Sequence, residues 1–355
     1  MGPQKYNILF TSCFSSMRGG GQRSLHLLIK YLNRDRFQPF LVVPKEDELS
    51  EEAARLGVKT FILPFPRIRT INAASPASSL VRLWRIVREN RIDLIHTESP
   101  REAFYAVLVK KVSGVRVIFH ARVSDSHVLG DRLLYYLTDR LIAVSGTAAR
   151  RFRDRKNKVA IIFNGVELDA FRPSDRCENN GPLQIGYFGQ IQRRKGIDAL
   201  LGAMRSINRE VELTVMGDGD PEYLEELGAM SGGVSVTYKN YRPNILDDMS
   251  AVDTVVLPAM KEEGLSRMII ESMAMGKVVI ATDLMSSREA MGEELKEFMF
   301  PAGDHEKLAA IIRKVSDDRR ILCSMREKTR GRAEQLFDVR KNTGMIEGIY
   351  DSLLS

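Results

Sequence analysis

TVVLPAMKEEGLSRMIIESMAMGKVVIAT, residues 254–282, contains a complete strand–loop–helix–strand unit. Thr254–Pro258 and Lys277–Thr282 are short runs rich in apolar residues and read as buried strands. Between them Leu265, Met268, Ile269 and Met273 recur at helical spacing, so a helix is expected over Arg267–Met275. Ser266 is a suitable N-cap for it, and Gly276 a suitable C-terminal stop. A strand, a crossover helix and a second strand of this kind belong to a parallel sheet with helices on its faces.

The same segment carries two carboxylates eight positions apart. Glu263 lies in the loop before the helix and Glu271 inside it. Eight helical residues span about 12 Å, so the two acids would grip different parts of an elongated ligand. The backbone N–H groups of Leu265, Ser266 and Arg267 offer an anion site at the helix start. One carboxylate for sugar hydroxyls, a helix terminus for phosphate and a second carboxylate for ribose hydroxyls together fit a nucleotide-sugar. On spacing alone, the plainer reading is an exposed Glu-rich loop followed by a helix with a surface Glu.

The pattern around this unit repeats it. In the first half, Ile8–Phe10, Pro39–Val43, Thr60–Leu63, Leu94–His96, Val117–His120 and Leu141–Val144 read as strands. Ser24–Leu32, Glu51–Leu56, Leu80–Asn90 and Ala103–Val112 read as helices between them. Residues 166–183 have turn and linker composition, with Pro173, Ser174, Asp175, Asn179, Asn180, Gly181 and Pro182. A second alternation follows: strand Leu183–Phe188, helix Gly196–Ile207, strand Glu212–Met216, helix Pro221–Met230 and strand Val234–Tyr238. The expectation is an α/β chain of two Rossmann-like, doubly wound domains, 1–165 and 184–335, joined by 166–183 and facing a central cleft.

The bulk properties agree with this. A chain of 355 residues suits two domains, and 44% apolar content is ordinary for a globular protein. No apolar run approaches the ~20 residues of a membrane-spanning helix, and Tyr6–Phe10 reads as a first strand rather than a secretory signal. Cys13, Cys177 and Cys323 are scattered and odd in number, which points to reduced thiols and a cytoplasmic location. The net charge of +7 favours anionic partners only weakly, because acidic residues are interspersed throughout.

Four further segments are candidates for chemistry. Gly189-Gln190-Ile191-Gln192-Arg193-Arg194-Lys195-Gly196 follows a strand and puts cations where a diphosphate could bind; a solvated basic loop fits the same residues. Gly19, Gly20 and Gly21 lie between the first strand and a helix from Ser24, and glycines let backbone approach a ligand closely. His120 ends a strand and is a candidate donor or acid, while His96, ending another, reads mainly as part of the sheet. Asp218-Gly219-Asp220 has the form of a metal-binding pair of aspartates, but it directly follows a strand and reads as a turn, so no metal is expected. Leu80, Leu83, Trp84 and Val87 share a helical face opposite Arg82, Arg85 and Arg88. That pattern fits packing on a sheet, and also peripheral contact with an anionic membrane. The basic run Arg150–Lys158 has one aromatic, Phe152, and no recognised module around it, which argues against nucleic acid.

Together these segments resemble the GT-B glycosyltransferases of family 4, over nearly the whole chain from Ile8. Glu263 and Glu271 match the family's Glu-x7-Glu signature. Asn164-Gly165-Val166 with Asp169, Phe171 and Pro173 looks like its interdomain segment. Gly217-Asp218-Gly219 matches its second-domain turn, and Gly303-Asp304 with Leu308-Ala309 a late segment. The resemblance implies a metal-independent, cofactor-free hexosyltransferase that retains anomeric configuration. Its donor would be a UDP- or GDP-linked sugar, and its acceptor a glycan, lipid-linked or small molecule.

The resemblance also implies roles. Glu263 would contact the transferred sugar, Glu271 the ribose and Lys195 the diphosphate. Gly19, Gly20 and Gly21 would lie beside donor and acceptor, and His120 would contact the donor sugar. Gly189, Gln190, Arg194, Leu265 and Ser266 complete the donor site. Gln190 departs from the family, which commonly has Arg there, and leaves Arg193 or Arg194 to supply the charge. Acceptor contacts are expected in Pro66–Pro76 and Val123–Gly130. The last segment, 336–355, is expected to be a helix crossing back to the first domain, with Val339–Leu354 as its body. A GT-B phosphorylase or epimerase, and a sugar-nucleotide binding subunit impaired by Gln190, are the rival readings.

Overall fold

The computed structural model describes residues 5–67, 74–125, 127–152, 157–173 and 181–355. Residues 68–73 and 126 of the candidate acceptor loops, 153–156 of the basic run, and 174–180 of the linker with Cys177 lie outside the described residues. The chain forms two compact units. The first comprises Met1–Gly165, Glu263–Leu265 and Val339–Ser355; the second comprises Val166–Glu262 and Ser266–Asp338.

In the first unit the strands are β1 (Tyr6–Thr11), β2 (Phe37–Val43), β3 (Lys59–Ile62), β4 (Leu94–Thr97), β5 (Arg116–Ala121), β6 (Arg140–Ala143) and β7 (Val159–Ile161). Helices α1 (Gly20–Tyr31), α2 (Glu48–Arg55), α3 (Ala74–Glu89), α4 (Pro100–Ser113), α5 (Val128–Leu137) and α6 (Gly146–Ala149) connect them. The sheet order is β3-β2-β1-β4-β5-β6-β7, and adjacent strands are parallel. The order reverses beside β1, where β1 pairs with both β2 and β4. Three core clusters result among the described residues. One packs Leu25, Leu28, Leu41 and Ile118 together, a second packs Leu83, Val87, Ile95 and Val109, and a third packs Phe119, Leu134, Leu141 and Phe152.

The second unit repeats the plan. Its strands are β8 (Leu183–Phe188), β9 (Val211–Met216), β10 (Val236–Lys239), β11 (Thr254–Leu257), β12 (Val279–Thr282) and β13 (Met299–Phe300). They are ordered β10-β9-β8-β11-β12-β13, again with parallel neighbours. Its helices are α7 (Ile197–Arg205), α8 (Pro221–Met230), α9 (Leu246–Ala251), α10 (Arg267–Ala274), α11 (Met285–Met291), α12 (His305–Asp317) and α13 (Arg320–Leu336). This is the doubly wound order, with its switch point between β8 and β11. The last helix, α14 (Val339–Leu354), belongs to the first unit. Its Ile346 and Tyr350 are buried against the α1 side of that sheet. The Tyr6 hydroxyl donates to the Leu354 carbonyl over 3.1 Å, and Glu347 accepts from the Asn33 N–H at 2.7 Å.

Several boundaries differ from the sequence reading. Helix α1 begins at Gly20, four residues before Ser24, so Gly20 and Gly21 are helical and not loop. Residues Val128–Gly130 of a candidate acceptor loop open α5, where Val128 and Leu129 are exposed. The structure adds β7, a short strand that the basic run before it hides in the sequence.

Gly196 shows how tightly the second unit is drawn together. It has φ +69, and a Cβ there would lie 2.0 Å from the Pro258 carbonyl oxygen. A side chain would therefore meet both backbone strain and fixed main chain. Gly196→Ala is expected to destabilise the chain by at least about 1–3 kcal/mol, read as a lower urea midpoint. An unchanged midpoint would contradict this packing.

Candidate active site

In both units, the candidate groups follow the carboxyl ends of central strands, as the doubly wound order requires. In the second unit β8 runs into Gly189 and Gln190, and Arg193–Lys195 make one 3-10 turn before α7. Gln190 is exposed, and its carbonyl accepts from the Tyr187 hydroxyl at 2.7 Å. Arg193 is turned away: it pairs with Glu226 and lies over the Tyr223 ring on α8, 4.8 Å from the centroid. Arg194 is exposed, with Nε donating to Gln192 Oε1 at 2.9 Å, and Lys195 is half-buried.

Ser266 is the N-cap of α10, but its side chain makes no capping hydrogen bond. The helix starts at Arg267, and Ile270 N–H is bonded back to the Ser266 carbonyl. The first-turn N–H groups ahead of that bond belong to Arg267, Met268 and Ile269, two residues later than the sequence suggests. Every residue from Met268 to Ala274 is buried. Glu271 is 3% exposed, which overturns the reading of a surface acid. Arg267, one turn earlier, donates from Nε to Glu271 Oε1 at 2.8 Å and approaches it with Nη2 at 2.7 Å. Glu262, next to the signature acid, serves α11 instead. Its carboxylate accepts from the N–H groups of Met285 and Ser286 and so caps that helix.

Asp218-Gly219-Asp220 is a structural turn. Ile191 N–H donates to the Asp218 carbonyl at 2.8 Å, tying this turn to the β8 loop. The Asp220 side chain accepts from Glu222 N–H at 3.0 Å and caps α8.

In the first unit Gly19 is the N-cap of α1, with φ −88, and a Cβ at Gly21 would lie 3.5 Å from Arg122 Cδ. Arg122 follows β5 and is the centre of a buried cluster. Its guanidinium grips both oxygens of Glu98, at 2.6 and 2.5 Å, and donates to Asn164 Oδ1 at 2.6 Å. Glu263–Leu265 belong to this unit, where a Cβ at Gly264 would fall 2.1 Å from the Arg122 carbonyl oxygen. Glu263 is half-buried and Leu265 buried.

His120 sits one residue before the end of β5, 2% exposed. Its Nδ1 is 3.1 Å from His96 Nε2, and His96 Nδ1 is 2.7 Å from the Tyr350 hydroxyl on α14. His120 Nε2 is buried without a hydrogen-bond partner among the described residues. Burial, with the Arg122 charge added, pushes His96 down to about 3 and His120 well below its usual value, so both rings are neutral. Among the described residues His96, Glu98 and His120 form a group close enough to hold a cation. Arg122 already occupies both Glu98 oxygens, and the imidazoles bond each other, so the donor set suits a hydrogen-bonded cluster better than an ion. Sequence reasoning misses Glu98, Arg122 and Tyr350, because nothing in it marks contacts spanning up to 254 residues.

The depressed histidines link folding to pH. Unfolded histidine protonates near pH 6.5, while folded His96 does so near 3. Between these values the unfolded chain binds more protons, so stability falls as pH drops from about 6.5, by up to about 1.4 kcal/mol per pH unit for each such ring. Urea unfolding at pH 7 and pH 5 should show a smaller loss in His96→Gln than in the wild type. Equal losses would contradict the buried, neutral ring.

Residues 18–170 match the model for Glycosyltransferase Family 4, and residues 182–318 that for Glycosyl transferases group 1. The Escherichia coli UDP-Gal:alpha-D-GlcNAc-diphosphoundecaprenol alpha-1,3-galactosyltransferase is 20% identical over 91% of this chain and 94% of its own. A GDP-mannose-dependent alpha-mannosyltransferase of Mycobacterium tuberculosis is 24% identical over 88% and 89%. Among solved structures, Anabaena HepE in complex with UDP and glucose superposes with TM-score 0.84 at 19% identity, covering 98% of this chain and 100% of that one. A glycosyltransferase from Rickettsia africae superposes with TM-score 0.86 at 18% identity, covering 99% of each. Two matches that between them reach from residue 18 to residue 318, on a fold shared with these structures, make this chain a member of glycosyltransferase family 4, group 1, and a nucleotide-sugar-dependent glycosyltransferase.

Proposed function

We propose that this enzyme moves a hexose unit from a UDP- or GDP-linked sugar to a glycan, lipid-linked or small-molecule acceptor, retaining the anomeric configuration. The observation that carries this reading is α10: a buried carboxylate, Glu271, on a helix whose N-cap, Ser266, makes no side-chain capping bond. Such a helix start favours phosphate. Glu271, oriented by Arg267, takes the ribose hydroxyls; Glu263 takes hydroxyls of the transferred sugar; His120 contacts the same sugar. Lys195 and Arg194 stabilise the charge that builds on the leaving diphosphate, which is the main catalytic effect in this reading. Gly19, Gly20 and Gly21 lie beside donor and acceptor.

The reaction proceeds without metal or cofactor in this proposal. The turn and capping roles of Asp218 and Asp220 support it. Activity should survive excess EDTA, and a loss restored by Mg²⁺ or Mn²⁺ would refute it.

A nucleotide-sugar panel with products identified by mass spectrometry tests the whole reading. Glu263→Gln and Lys195→Ala should each lower turnover by about 100-fold or more, with folding intact. A nucleotide that binds the wild type but is never consumed would favour a sugar-nucleotide binding subunit instead. Gln190→Arg restores a cation to the diphosphate loop and should tighten nucleoside-diphosphate binding about tenfold by calorimetry; unchanged or weaker binding would place the phosphates elsewhere.

A cytoplasmic enzyme with peripheral contact to an anionic membrane through α3 is part of the same proposal. Leu83 and Val87 are buried, as sheet packing requires, and Arg82, Arg85 and Arg88 are exposed. A groove of about 800 Å³ between α3 and α4, lined by Val81, Trp84, Arg88, Leu108 and Val112, supports the contact. Co-sedimentation with anionic liposomes should be lost when the three arginines become glutamine, and sedimentation independent of them would exclude this face.

A further inference from the structure

The chain Tyr350–His96–His120 leaves a single buried atom, His120 Nε2, without a partner among the described residues. The geometry accounts for each of its protons. Both imidazoles are neutral, so each carries one N–H. Tyr350 is fully buried and burial raises its phenol well above the usual value, so it keeps its O–H. The His96 Nε2 to His120 Nδ1 contact, 3.1 Å, needs one proton and one lone pair. Only two arrangements satisfy that.

In the first, Tyr350 donates to His96 Nδ1, His96 Nε2–H donates to His120 Nδ1, and His120 Nε2 carries the outer proton. In the second, the bonds run the other way: His120 Nδ1–H donates to His96 Nε2, and His96 Nδ1–H donates to the tyrosine oxygen. The Tyr350 proton then has no acceptor, because His96 Nδ1 is the one hydrogen-bond partner of that hydroxyl among the described residues. The second arrangement thus strands two buried polar groups, the tyrosine proton and His120 Nε2, where the first strands one. A buried unpaired donor or acceptor is costly, so the first arrangement is selected.

We propose that Tyr350, acting through His96, fixes His120 as an Nε2–H donor aimed at an oxygen of the transferred sugar. This rests on the reading of His120 as a sugar contact. Tyr350 and His96 are positioning residues: they touch no substrate but decide whether His120 offers a proton or a lone pair. The C-terminal helix is thereby part of the active site's chemistry. The one unsatisfied nitrogen is the place where a substrate oxygen completes the chain, since a ligand that supplies an acceptor removes its last unpaired group.

The test uses full-length protein labelled with ¹⁵N-histidine, with long-range ¹H–¹⁵N correlation spectra assigned by single substitutions. The wild type should show the Nε2–H form at both His96 and His120. Tyr350→Phe removes the donor that sets the direction, so both rings should lose their single-tautomer signature. Its kcat/KM for sugar transfer should fall about tenfold while nucleoside-diphosphate affinity stays within about twofold, a split that general loosening of the fold would not give. His96→Gln keeps an amide N–H facing His120 and should recover most of the rate that His96→Leu loses. An Nδ1–H form at His120 in the wild type, or unaltered tautomers and kinetics in Tyr350→Phe, would overturn the relay. The expected wild-type tautomers together with wild-type transfer by His120→Ala would instead remove His120 from the sugar, and the relay's role in transfer with it.

Discussion

A parallel sheet places the carboxyl ends of all its strands along one edge, and that constraint governs this molecule twice. In the first unit, β4 ends in His96 and Thr97, with Glu98 beyond, and β5 ends in His120 and Ala121, with Arg122 beyond. In the second, β8 ends before Gly189 and leads to Lys195, while β11 leads through a loop to α10. Residues scattered over the chain become neighbours within each unit because hydrogen-bonded register leaves them no other edge to occupy. The switch of winding direction beside β1 and beside β8 opens each edge at its centre.

Polar groups at those edges are buried, and specific partners hold them. Glu98 would be costly in the interior without Arg122, and Arg122 equally so without Glu98 and Asn164. Removing one member of such a set typically costs about 3–5 kcal/mol because the other is left charged and unpaired. Glu271 and Arg267 repeat the arrangement within one helix. The charges are thereby fixed in direction before any ligand arrives, which is the condition for electrostatic stabilisation without reorganisation.

Much of this is legible in the sequence because it is local. Strand and helix alternation follows from short apolar runs and helical spacing, and Leu183–Phe188, Pro221–Met230 and Val339–Leu354 have the same limits in sequence and structure. The start of α1 is obscured because three consecutive glycines read as loop, whereas two of them open a helix whose later turns are buried on the sheet. Helix α5 escapes the periodicity because Gly130 and the exposed Val128 and Leu129 mask its buried face. Spacing marks Glu263 and Glu271 as candidates on the signature segment, and the burial of Glu271 shows only in the structure. Spacing is not enough for Glu98, Arg122 and Tyr350, since their meaning lies in contacts across β4, β5 and α14 that no local pattern encodes. The division of the three basic residues Arg193–Lys195 likewise depends on α8, which draws Arg193 away to Glu226.

In the proposed mechanism the second unit holds the nucleoside diphosphate with the β8 loop and the start of α10. Hydrogen–deuterium exchange with and without UDP or GDP reads this directly, segment by segment. Exchange is expected to slow at Gly189–Gly196 and at Arg267–Glu271 when nucleotide is bound. Saturating nucleotide that leaves both segments exchanging at their unliganded rates, with protection elsewhere, would contradict it.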